Sequence, residues 1–181
     1  MVRAMLLANI SSGGYRAVLI LHITTVVIGI GGVFLLGLFG REAGARKGVE
    51  GQAIAEAAYK VGEVAEYFIY AIPVFGIALL FMSGHHLLWF DQTWVWLGLI
   101  LYVFAVGFSQ AVHLPNLRVM NRLMAELNAG GPPPAGASGP PPQAVELEAL
   151  GKRAAMNGAV LNVTGVAIFV LMVWKPGGPR I

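Results

Sequence analysis

Residues 15–39, YRAVLILHITTVVIGIGGVFLLGLF, decide the fold. The run exceeds the roughly 20 residues that carry a helix across about 30 Å of hydrocarbon, and after Arg16 it holds no formal charge. Its apolarity is continuous rather than alternating. In lipid only helices and closed barrels satisfy their own backbone, and a barrel strand alternates, so the run reads as a transmembrane helix. Three more runs follow at about 67–89, 94–114 and 154–174. The expected fold is all-α, an integral membrane four-helix antiparallel bundle, with residues 1–181 forming a single transmembrane domain.

Composition agrees. The chain is 57% hydrophobic and 12% charged, with a mean hydropathy of +0.72, whereas soluble domains are about a quarter charged. A soluble enzyme is excluded first, because so few charges cannot dress a water-facing surface. With no cysteine, disulfides, thiolate metal sites, iron–sulfur clusters, covalent haem attachment and cysteine catalysis go too. The net charge of +3 offers no basic run longer than Arg46-Lys47 or Lys152-Arg153. No nucleic acid is expected; the partner is the lipid bilayer, with a homo-oligomer or larger membrane complex as the protein partner such a bundle admits. The motifs of serine hydrolases, zinc proteases and P-loop nucleotide enzymes are absent.

Arg41, Arg46, Lys47, Lys60, Arg118, Arg122, Lys152 and Arg153 flank the connections between spans one and two and between spans three and four. By the positive-inside rule those connections are cytoplasmic, and both termini and the His85–Thr93 turn face outward. Tyr15, Tyr67, Tyr70, Trp89, Trp94, Trp96 and Trp174 mark the span ends. No small-residue cleavage site follows the first run, so it reads as retained. Residues 130–143, GGPPPAGASGPPPQ, read as an inner linker. A pair of Glu56 with Lys60 supports a helix leading into span two.

Polar side chains within spans mark functional candidates. An outer layer comprises His22, about 10 Å below the outer surface at 1.5 Å per residue, with His85, His86 and Met82. An inner layer comprises Glu66, Gln110, His113, Asn157 and Asn162. His22, Thr25, Gly29 and Gly32 share one face of span one. Small residues on such a face permit close helix packing, or leave room for a flat macrocycle beside a ligating imidazole. His22 opposite His85 or His86 meets the axial needs of haem b. His22, Met82 and His86 alternatively suit copper, and His85 and His86 also suit a wet interfacial turn. The inner layer suits hydrogen bonds fixing helix register, or a proton relay or second ligand layer.

Leu21-His22 with its glycine-rich sequel, Ala65-Glu66-Tyr67 through Pro73, Gly76 and Ser83-Gly84, Leu114-Pro115 before Arg118 and Arg122, and the closing Leu171–Pro176 resemble an uncharacterised group of bacterial four-span integral membrane proteins. That group is distantly similar to the copper-resistance D proteins and HemJ-type protoporphyrinogen oxidases. The resemblance implies haem b or copper held by the early histidine, here His22; the Trp/Lys surroundings of the HemJ pattern are missing. The function expected is electron transfer or haem-linked redox chemistry, as a haem-dependent oxidoreductase if an enzyme. Copper binding or transport, and a non-catalytic subunit or scaffold of a membrane complex, are the alternatives. The cysteine-free chain makes topology directly testable: Ser138→Cys is expected to react with a membrane-impermeant maleimide only in permeabilised cells, and Thr93→Cys in intact ones.

Overall fold

A computed structural model describes residues 12–46, 48–83, 92–130 and 139–176. Its elements are α1 (Gly13–Ala45), α2 (Val49–Met82), α3 (Thr93–Phe108), a π-helical turn (Ser109–His113), α4 (Leu114–Ala129) and α5 (Pro142–Trp174). Because α3, the turn and α4 run on without a break, they form one rod, and each of the four resulting helices is long and apolar enough to cross a membrane. The protein is an all-α four-helix bundle of the multi-pass membrane type.

The surface is the reverse of a soluble protein's. Ile20, Val27, Val74, Val103, Val163 and Val173 are among many large apolar side chains left exposed, while the buried positions include Thr25, Asn157 and Thr164 beside Ala65 and Ile72. In water such a shell would aggregate. Against acyl chains it is the outward face, and small or polar residues are left to line the contacts between helices.

Local chemistry sets the ends. The Ser12 hydroxyl accepts from the Tyr15 amide at 3.2 Å, capping α1. Gly48, at φ 70°, turns the chain between α1 and α2 in a conformation that suits glycine. Any side chain at Gly51 would strike the carbonyls of Ala43 and Arg46. Pro115 has no N–H for the carbonyl four residues back, and just before it the Leu114 amide reaches five residues back to Ser109. A π turn results. α5 ends as Lys175 adopts φ 49°, and its ammonium lies 5.5 Å from the centroid of the Trp94 ring at the start of α3.

α1 and α2 form the tightest pair. Their antiparallel register is read from neighbours: Gly14 beside Met82, His22 beside Gly76, Gly29 beside Ile69, Gly32 beside Ala65, and Leu36 beside Gly62. The α3–α4 rod packs on α5, and this second hairpin meets the first along α1–α5 and α2–α4. Gly165 faces Ile30 on the former, and the Asn128 amide donates to Gln52 on the latter.

Three expectations change. Span two, placed at about 67–89, belongs to a helix that ends at Met82, while residues 84–91 lie outside the described ones. Since Leu36 lies beside Gly62, residues just before Tyr67 run alongside span one. The helix expected to lead into span two is present, continuous with it from Val49. Second, Glu56 takes its hydrogen bond from Gln52 at 2.8 Å rather than pairing with Lys60. Third, Pro142 and Gln143, assigned to the linker, open α5, proline being suited to a first turn.

A Cβ on Gly32 would lie 2.8 Å from that of Ala65, whereas Gly37 has open space. Gly32→Leu is expected to cost about 1–3 kcal/mol through overpacking, read as a lowered Tm in detergent. Gly37→Ala, at an open helix position, is expected to leave Tm unchanged or raise it.

Candidate functional site

His22 crosses to α2: its Nδ1 lies 3.1 Å from the Ile72 carbonyl oxygen. A carbonyl only accepts, so Nδ1 carries the proton and donates, and in the neutral ring Nε2 keeps a lone pair. Among the described residues Nε2 has no hydrogen-bond partner. One turn on, the Thr25 hydroxyl donates to the His22 carbonyl at 2.7 Å and is buried. The ring lies close against glycine, since a Cβ on Gly76 would come within 3.2 Å of its Cε1.

The glycine face below the imidazole is occupied. A Cβ on Gly29 would lie 3.0 Å from the Ile69 side chain and 3.1 Å from its backbone nitrogen, and Ala65 fills the space before Gly32. Of the two uses open to this face, close packing is the one seen. A macrocycle has no room between Gly29, Gly32 and α2 in this arrangement. Met82 is also apart from His22: its Cε lies beside Gly14, eight residues and so about 12 Å up α1. His85 and His86 lie outside the described residues. Among the described residues, no three His, Asp or Glu gather as metal ligands.

Pro73 gives α2 a second polar joint. Without an N–H, it leaves the Ile69 carbonyl short of its helical donor. The Tyr102 hydroxyl of α3 lies 3.3 Å from that oxygen and donates to it. The sequence carried a signal for this contact, because a proline within a span calls for an outside donor and Tyr102 is a phenol in the facing span.

In the inner layer Glu66 and Gln110 do meet, with Tyr70 as a third member. Both the Tyr70 hydroxyl and the Gln110 amide donate to Glu66 Oε1, and Gln110 Nε2 lies 2.6 Å from the Tyr70 oxygen. They line an open cleft of about 480 Å³ with Lys60, Glu63, Val64 and Tyr67. Nearby, the Arg118 guanidinium donates to the Tyr59 hydroxyl at 3.4 Å. Tyr70 serves as more than a headgroup-level aromatic: it stands one helical turn from Glu66, the spacing at which side chains meet.

The other inner residues form no such cluster. His113 lies in the π turn and Asn162 on α5, and His113 Nδ1 and Asn162 Oδ1 are both buried without a hydrogen bond. Asn157 is buried on the same helix. The hydrogen bonds expected from His113 to Asn157, Asn162 or Glu66 are not formed.

No protein family, curated protein or solved structure matches this chain. Residue roles therefore rest on the geometry above.

The proline and tyrosine are coupled. Tyr102→Phe is expected to cost about 1 kcal/mol by stranding the Ile69 carbonyl. In a Pro73→Ala background the new amide supplies that donor, so the same substitution is expected to cost much less. Detergent or denaturant unfolding of the four members of the cycle measures the difference.

Proposed function

We propose that this chain is a multi-pass protein of the bacterial cytoplasmic membrane, its longer connections inside, that ligates haem b through Nε2 of His22. The bound haem would supply one-electron chemistry, for electron transfer or a haem-linked oxidation. The observation that carries this reading is the hydrogen bond from Nδ1 to the Ile72 carbonyl. A backbone acceptor on one ring nitrogen fixes the tautomer and turns the other, basic nitrogen toward a metal, the usual support of ligating histidines. The expectation that the early histidine of span one holds haem or copper, drawn from the resemblance of Leu21-His22 to the four-span group, names the same residue.

The donor fits haem and the expected cradle does not. Thr25 is spent on the His22 carbonyl, and Gly29 and Gly32 are spent on α2. The reading therefore rests on His22 alone and assigns no pocket role to those three. Copper draws on Met82 as well, and Met82 stands two turns from His22.

A second reading has an observation of its own. The His22–Ile72 bond and the closed glycine face together form a complete joint between α1 and α2, as a non-catalytic subunit of a larger membrane complex requires. The absorption spectrum separates the two. Protein purified after expression with ample haem is expected to show a Soret band that His22→Ala abolishes. A colourless wild type with intact helical circular dichroism sinks the haem reading and leaves the structural one.

A further inference from the structure

The cleft on α2 is separate from His22 and has chemistry of its own. Lys60, Glu63, Glu66, Tyr67 and Tyr70 recur at helical spacing along one side of α2, and Gln110 faces them from the π turn. This polar stripe interrupts an otherwise apolar exterior. Its depth follows from register: Ala65 lies beside Gly32 of span one, so Glu66 stands at a level where span one is still within hydrocarbon. Lys60 lies six residues nearer the inner end of α2, about 9 Å at 1.5 Å per residue. Arg118 meets Tyr59 at that shallower level. Glu66 is thus the deepest formal charge in the cleft.

An intramembrane carboxylate normally faces the bundle interior or a partner, yet this one opens sideways. Tyr70 and Gln110 both occupy its Oε1, and Oε2 accepts no hydrogen bond among the described residues. Tyr70 is 41% and Tyr67 75% exposed, so aromatic surface flanks the free oxygen on the side that meets lipid. A carboxylate with one open oxygen, aromatic rings beside it and access from the acyl region suits one ligand class. We infer that this cleft binds lipophilic organic cations, whose charge pairs with Glu66 while their apolar groups rest on Tyr67 and Tyr70 and in the adjoining lipid. An anion of the same shape is disfavoured, since the nearest cations, Lys60 and Arg118, lie toward the aqueous end. A neutral lipid tail finds no use for the carboxylate.

Tetraphenylphosphonium is the probe, and tetraphenylborate, of similar shape and opposite charge, is its control. Equilibrium dialysis against the full chain in lipid nanodiscs, with empty nanodiscs as the blank, is expected to show saturable binding of the cation only. Glu66→Gln is expected to weaken it by at least about tenfold. The inference is overturned by absence of saturable cation binding, by equal saturable binding of the borate, or by an affinity in Glu66→Gln within about twofold of wild type. The comparison of the two ions needs no variant, so it decides the matter even where the substitution impairs folding.

Discussion

The approach of α1 to α2 across Gly29 and Gly32 is the contact on which the other contacts depend. In a bilayer, two apolar helices gain little by leaving lipid for each other, because acyl chains solvate leucine as well as leucine does. What draws them together is shape. Where glycine removes the side chain, backbone meets backbone, and dispersion and polar contacts act at short range. At Gly29 the neighbouring surface is the backbone of Phe68 and Ile69 itself. That proximity lets His22 reach Ile72 and brings the stripe of α2 alongside the C-terminal half of α1.

Polar groups in this bundle follow a consistent division of labour. Thr25 and Thr164 return their hydroxyls to carbonyls of their own helices at 2.7 and 2.8 Å, so each hides its polarity within its rod. His22 and Tyr102 instead bond carbonyls of another helix, and the two carbonyls, of Ile72 and Ile69, sit about one turn apart on α2, both just before Pro73. Asn116 donates from α4 to the Leu150 carbonyl of α5 at 3.0 Å. Backbone carbonyls, with a second lone pair to offer, accept these three contacts between helices, while side chains accept at Glu66, Tyr59 and Gln52.

Much of this was legible in the sequence, and the rest was hidden for physical reasons. Continuous apolarity identified four helices because lipid allows few alternatives. The spacing of His22, Thr25, Gly29 and Gly32 identified a shared face, but periodicity within one helix says nothing about what lies opposite, and Ala65 and Ile69 settled that. The helix through residues 48–66 was legible, but its packing beside span one was not, because Glu63 and Glu66 put charges into it. An amphipathic stripe that opens into a cleft carries charges below the surface without exposing them to acyl chains on every side. Tyr70 looked like an interfacial ring because its neighbour Gln110 is distant in sequence.

Pro73 has a consequence for biogenesis. The first hairpin enters the membrane with a carbonyl at Ile69 that its own helix does not serve, and its donor, Tyr102, is made later in the chain. The early pair is therefore chemically incomplete in hydrocarbon until the following span arrives. Assembly order is written into the backbone, and the second hairpin completes the first as well as docking beside it.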